Sequence, residues 1–213
     1  MTAGVGPLLE IHGSLGVTDP FDYVDTYCFT ITSTTAFYAT TKLSAGGMAM
    51  APGGGAYDTR LWLWDAGGGF LLGNDDNAGA PDAFASTISD PSTFAIWTGT
   101  FGVAGAPAPT ALPVVLTPGM YMISISNFPN DPEDAALTDL ATLGAPFTGL
   151  HGASPGVGPF DHWESDTAPV PIPPAIYEIA FGGAGYCVVP EPATIVALSL
   201  GAAGLLVSRR RRK

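Results

Sequence analysis

The chain has 213 residues, 46% hydrophobic and only 12% charged, enough for one domain of ~150–200 residues plus a tail. Five of its seven basic residues are Arg209–Lys213, leaving Lys42 and Arg60 against 19 carboxylates, a net −17 over residues 1–208. No basic patch exists to meet phosphates, so nucleic acid is excluded as a partner; an acidic body suits cation binding or solubility outside the cell.

The 28 Gly and 20 Pro favour short strands and many turns, because both residues weaken helix interiors. Met1–Gly13, "MTAGVGPLLEIHG", has neither the basic n-region nor the apolar h-region of a signal peptide, so the natural start is expected upstream, or the chain has been trimmed. Asp25–Thr32, "DTYCFTIT", alternates with period two. Tyr27, Phe29 and Ile31 fall on one face and Thr26, Cys28, Thr30 and Thr32 on the other, as in a half-buried strand. Ala36–Leu43 reads as a second strand and residues 48–58 as a loop. Thr59–Asp65, "TRLWLWD", sets Leu61 and Leu63 against Trp62 and Trp64, and Gly67–Gly69 turns it into Phe70–Gly73, a hairpin. Weaker strands follow at Ala83–Ile88 and Phe94–Phe101. Val114–Leu116, the turn Thr117–Gly119 and Met120–Ser126 read as another hairpin. Asn127–Thr167 has little periodicity beyond a possible helical turn at Pro132–Leu143, and Ala175–Phe181 is the last strand, followed by a Gly-rich connector. Many short strands separated by turns predict an all-β fold, an antiparallel β-sandwich or jelly roll over residues 1–187.

Several residues are candidates for chemistry. Asp58, Asp65, Asn74, Asp75 and Asp76 offer the oxygen ligands that Ca²⁺ takes, although Asn74–Gly79, "NDDNAG", misses the spacing of a helix–loop–helix Ca²⁺ loop, and Asp and Asn also serve turns for their own backbone hydrogen bonds. Gly152–Gly156, "GASPG", fits Gly-x-Ser-x-Gly on paper, but Ser154 precedes a proline and no helix is expected after it, so no nucleophile elbow is predicted. His12, His151 and His162 share no metal-ligand spacing. Trp62 and Trp64 either pack in a core or stack on sugar rings. Cys28 and Cys187 either form one disulfide in an oxidising compartment or remain two separate buried thiols. No nucleophile, base and orienting group can be assembled, so a non-enzymatic protein is expected.

The end of the chain is the most specific feature. Between Glu191 and Arg209 lie 17 uncharged residues, which as a helix over about 192–208 would span roughly 25 Å, the short end of a membrane span. Arg209, Arg210, Arg211, Arg212 and Lys213 would hold its end at the cytoplasmic face. Val189-Pro190-Glu191-Pro192, the apolar run and the basic cluster, in that order over 188–213, resemble the PEP-CTERM sorting signal of exported Gram-negative proteins, many from makers of exopolysaccharide. The resemblance implies a single C-terminal transmembrane helix in the inner membrane. It also implies that Pro190, Glu191 and Pro192 are recognised by exosortase, a membrane-embedded cysteine protease that removes the helix and basic tail. Delivery to the cell surface or matrix would follow.

Within the body, "DYVDTYCFTI" (Asp22–Ile31), "DTRLWLWDAGGGFLLGNDDN" (Asp58–Asn77) and "LTPGMYMISISN" (Leu116–Asn127) resemble, in that order, the bacterial pre-peptidase C-terminal domain, a small β-sandwich of exported proteins. The resemblance covers roughly Asp19–Asn127, with Trp64 where that family usually has another aromatic, often Tyr. It makes residues of about 128–168 an insertion, and implies Ca²⁺ near the N-terminal strands in some members. Two functions follow as expectations: an exported, exosortase-processed surface or matrix protein, or a Ca²⁺-assisted module for extracellular polysaccharide using the Trp pair and the Asp65/Asn74–Asp76 loop.

Overall fold

A computed structural model describes residues 6–41, 58–75, 85–94, 114–141, 149–167, 172 and 175–187. Eleven strands are formed among them: β1 (Glu10–Leu15), β2 (Val24–Ile31), β3 (Tyr38–Thr40), β4 (Thr59–Asp65), β5 (Phe70–Asn74), β6 (Thr87–Ser89), β7 (Gly119–Asn127), β8 (Pro132–Asp134), β9 (Phe160–Trp163), β10 (Ala175–Gly182) and β11 (Ala184–Tyr186). The one α-helix described over its full extent is a single turn, α1 (Glu164–Thr167); Phe94 is also helical, and a 3-10 turn lies at Thr34–Ala36. The fold is thus mostly antiparallel β-sheet with almost no helix. Among the described residues no helix is long and apolar enough to cross a membrane; the helix expected over 192–208 lies outside them.

Two sheets carry the body. One has the order β1-β10-β3-β6 and the other β11-β2-β7-β4-β5, with every pairing antiparallel. Period-two alternation decides which side chains enter the space between them. Ile11 and Leu15 of β1 and Tyr177, Ile179 and Phe181 of β10 point in from one sheet. Phe29 and Ile31 of β2, Leu61 and Leu63 of β4, and Ile123 and Ile125 of β7 point in from the other, and all join one apolar cluster. Phe29 touches Phe181 across the gap, ring centroids 5.4 Å apart. A polar thread crosses it too: Tyr177 donates its hydroxyl to Asp25 at 2.5 Å and meets the Tyr27 hydroxyl at 2.6 Å. Burial and the hydrogen bond to Asp25 push the Tyr177 phenol well above its ordinary value.

The chain changes sheets between β10 and β11 through one residue, Gly183, at φ +61. Its carbonyl accepts the Thr32 amide at 2.8 Å, and a Cβ there would lie 2.7 Å from the backbone of Ala36 and Phe37. Only glycine tolerates both conditions. Two elements escaped the sequence reading here: β1 was considered only as a leader, and β11 only as a connector.

Three further expectations are corrected. Val114–Leu116 forms no hairpin with the following strand; β7 instead pairs with β2 over 119–126 and with β4 over 121–127. Pro132–Leu143 supplies no helical turn in its described part, because Pro132–Asp134 is strand β8, paired with β9. The second strand, expected over Ala36–Leu43, is confined among the described residues to Tyr38–Thr40. Of the strand expected at Ala83–Ile88, residues 83–84 lie outside the described residues and its end joins β6; of the strand expected at Phe94–Phe101 only Phe94 is described, and it is buried and helical, not strand.

Candidate functional site

The proposed cation ligands do not meet. β4 is seven residues long, and at about 3.3 Å per residue it carries Asp58 and Asp65 roughly 23 Å apart, to opposite ends of the sheet. At the far end, Asp65 accepts the Gly67 and Gly69 amides at 2.8 Å each and closes the β4–β5 turn. At the near end, Asn74 spends its amide on the Gly149 carbonyl (2.7 Å) and its carbonyl on the Thr87 amide (2.6 Å). Asp75 is buried against Arg60. Asp76 lies outside the described residues. The Ca²⁺ set of Asp58, Asp65, Asn74 and Asp75 is therefore split between a turn and a buried polar cluster, for the plain reason that a hairpin separates its two ends.

The near end holds a feature that sequence reasoning missed. Arg60 is 3% exposed, donates from Nη2 to Asp75 at 3.0 Å, pairs through Nη1 with Asp131, and lies 4.5 Å above the centre of the Phe128 ring. Burial works against its charge, but Asp75 and Asp131 outweigh it and raise the guanidinium above its ordinary value. Burial also lifts Asp131, to about 7, against the pull of Arg60 and with help from Asp139 and Glu164. One cation facing two buried carboxylates is best balanced when one of them keeps a proton. The available signal was a single arginine inside an otherwise apolar strand.

Arg60, Trp62 and Trp64 alternate onto the face of β4 turned away from the main core, yet all three are buried. Their cover is the stretch expected to be an insertion of little structure. Phe128 and Asp131 lie on Arg60, while Leu140, Ala141, Val157 and Trp163 form with Trp62 and Trp64 a second apolar cluster. The rings pack edge to face, Trp64–Trp163 at 6.0 Å and Trp64–Phe160 at 5.2 Å. Each indole N–H is satisfied by β7: Trp62 donates to Ser126 and Trp64 to Ser124, both at 2.9 Å. Gly73 of β5 stands opposite Trp62, where a Cβ would come within 2.7 Å of the indole. Trp62 is thus core, not a sugar platform. Trp64 keeps one edge in a groove of about 120 Å³ lined by Thr26, Gly68, Met122, Ser124, Phe160 and Trp163. Trp97 lies outside the described residues.

The cover is pinned by Asp134, which accepts the Ala136, Thr138 and Gly158 amides; these hydrogen bonds hold its carboxyl below the ordinary range. Ser154 sits in this loop, its amide donating to Leu140, with no strand-to-helix elbow around it. His162 lies 3.0 Å from Glu133 and 3.1 Å from Asp161. His151 bridges to Gly73 of β5, and burial lowers its imidazole pKa against the opposing pull of Asp75.

Cys28 of β2 and Cys187, just past β11, are joined by a disulfide across 159 residues, with Cα atoms 5.6 Å apart. What these features define is an acidic antiparallel β domain, closed by a disulfide at its C-terminal end and followed at once by an uncharged run and a basic cluster. Residues 188–212 match the PEP-CTERM protein-sorting motif. That motif marks an exported surface protein, anchored in the membrane before exosortase processes it. The match takes in Pro190, Glu191, Pro192 and Arg209–Arg212; these and Lys213 lie outside the described residues. No curated protein and no solved structure matches the chain.

Proposed function

We propose that the protein is a non-enzymatic component of the cell surface or extracellular matrix, held in the inner membrane by a helix over about 192–208. Exosortase cleaves it at Pro190-Glu191-Pro192, and the β domain, a sandwich of the pre-peptidase C-terminal kind, is the delivered product. The observation carrying this reading is the sorting motif at 188–212, starting immediately after the disulfide-bonded Cys187. Intact mass spectrometry of protein from its native host tests it. A mass ending near Pro190–Pro192 is expected; retention of Arg209–Lys213 in the mature protein would refute processing. Deleting Pro190–Lys213 should release the protein from the membrane, and retention after that deletion would refute the anchor.

A second reading, binding of extracellular polysaccharide, is favoured by the groove beside Trp64. Aromatic rings of Trp64, Phe160 and Trp163 offer faces and edges to a sugar ring, and the exposed Thr26 supplies a hydroxyl. In this reading the groove replaces the Trp62/Trp64 pair, and Ca²⁺ plays no part in it. Titration of host polysaccharide against tryptophan fluorescence should saturate in the native chain and fail in Phe160→Ala; no response in the native chain removes the reading.

A further inference from the structure

On the side of the molecule formed by β1 and β10, Ile11, Tyr177 and Ile179 are committed to the core, and strand alternation therefore turns Glu10, His12 and Glu178 outward. Glu10 and His12, two residues apart, share a face, and His12 stands directly opposite Glu178 in the antiparallel register. His12 Nε2 lies 3.4 Å from Glu10 Oε1 and Nδ1 lies 3.9 Å from Glu178 Oε2. One donor atom from each of the three falls within 4.8 Å of the others. We propose that Glu10, His12 and Glu178 bind a borderline divalent transition-metal ion, of the Zn²⁺ class, on the outer face of the β1/β10 pair.

Donors about 2.0–2.2 Å from such an ion sit roughly 3.4 Å from one another in a tetrahedral arrangement. One ion takes a single nitrogen of His12, and with one donor per residue the set lies within 4.8 Å, so it must draw together by up to about 1.4 Å, a distance that side-chain rotation can cover. Two carboxylates and a neutral imidazole give a ligand charge that cancels the ion's, and leave one position for water or a donor from another molecule. The imidazole selects the metal class. Ca²⁺ wants six to eight oxygens, more than this face provides, whereas Zn²⁺ and its neighbours take mixed nitrogen and oxygen ligands. Charge supplies an independent argument. Arg60 is the only Lys or Arg among the described residues, and it is buried against Asp75 and Asp131. Among the described residues no Lys or Arg lies on the Glu10–Glu178 face; only the His12 imidazole stands beside its carboxylates. The paired strands fix the backbone positions of the three ligands, so only their side chains must adjust when the ion arrives.

The test is calorimetric titration of Zn²⁺ alone into the full chain in detergent, with excess Ca²⁺ as competitor. One Zn²⁺ per chain at micromolar affinity is expected, undisturbed by Ca²⁺ and weakened at least about tenfold by His12→Ala or Glu178→Gln. Both side chains reach solvent, and tryptophan fluorescence verifies that the variants fold; Glu10→Gln is a further ligand variant. Co²⁺ in place of Zn²⁺ should give visible absorption bands that His12→Ala abolishes. No stoichiometric binding, binding that survives His12→Ala, or displacement by Ca²⁺ would each overturn the site. Loss of binding on His162→Ala with His12→Ala silent would move it to another histidine and equally overturn it.

Discussion

Replacing Arg60 with leucine tests whether the buried cluster under Phe128 is a structural linchpin. The side chains of Arg60 and Asp75 are only 4% and 2% exposed, so Asp75 cannot turn to water when its partner is removed. It then stays charged in a poorly solvated place, or takes up a proton. With an unfolded aspartate titrating near 3.9, taking up that proton costs about 4 kcal/mol at pH 7 and about 1.5 kcal/mol at pH 5. Breaking a buried ion pair by removing one partner typically costs 3–5 kcal/mol, which agrees with the neutral-pH figure. Loss of the arginine–ring contact with Phe128 adds about 0.5–2 kcal/mol at either pH. Arg60→Leu should therefore lose about 4.5–6 kcal/mol at pH 7, a large part of the 5–15 kcal/mol that holds a typical domain. The loss should narrow by about 2–3 kcal/mol at pH 5. Urea unfolding of the full chain in detergent, followed by tryptophan emission, reads it directly, since Trp62 is on the same face of β4. Adding Asp75→Asn should recover part of the loss at pH 7. A cost below about 1 kcal/mol, or one equal at both pH values, would refute the reasoning.

The raised carboxyl of Asp131 fixes the sign of a second pH effect. With a folded value of about 7 against an unfolded value near 3.9, the native state binds more protons between them, so stability falls as pH rises from about 4 to about 7. The lowered imidazole of His151 acts oppositely, costing stability below about 6.5; the comparison is therefore native against Asp131→Asn, whose urea midpoint should lack the Asp131 slope. An identical slope in both proteins would refute the assignment. Removing the Cys28–Cys187 bridge by paired serine substitution frees a 159-residue loop, worth about 5 kcal/mol in the chain-entropy account; a change under about 1 kcal/mol in the denaturation midpoint analysis would show that the unfolded state is not loosened by the cut. Trp163→Ala should cost about 1–3 kcal/mol, below the figure for a fully buried Trp because this ring is only partly buried, and should red-shift emission as Trp62 and Trp64 lose their lid; unchanged emission would mean that the cover stays closed without it.

Elements with local signals were legible in the sequence, and elements made by distant partners were not. The β4–β5 hairpin announced itself through alternation and a triple glycine, and β2 and β10 through clean period two. The partner of β7 was misjudged because Val114–Leu116 is close in sequence, whereas the pairing that wins, Cys28 opposite Met122, joins residues that no local pattern connects. The cover over Trp62 and Trp64 had no periodicity to read: it is held by Asp134 carboxylate bonds, by aromatic edges and by the Arg60–Asp131 pair, none of which repeats along the chain. The acidic residues near Asn74 were readable as oxygen-rich, but composition could not show that Asn74 and Asp75 face inward while Asp65 closes a turn. Glu10, His12 and Glu178 were invisible as a set, because the register that unites them pairs the first strand with the tenth.

The sorting motif and the fold meet at Cys187, and covalent geometry constrains how. Val188 and Val189 alone separate Cys187 from Pro190, and three Cα–Cα steps of about 3.8 Å reach no more than about 11 Å. Fraying of the three-residue β11 would ordinarily lengthen that tether, but the disulfide ties Cys187 to Cys28 in the middle of β2, whose neighbour is β7. The end of the domain therefore cannot be paid out toward the membrane. With the proposed helix over 192–208 in the membrane, the face around Cys28, Tyr186 and Cys187 would lie next to the bilayer, and a protease acting at Pro190–Pro192 would work beside a folded domain. Recognition is then confined to the tail itself, which fits a signal whose matched residues begin at 188, one position after the last cross-link.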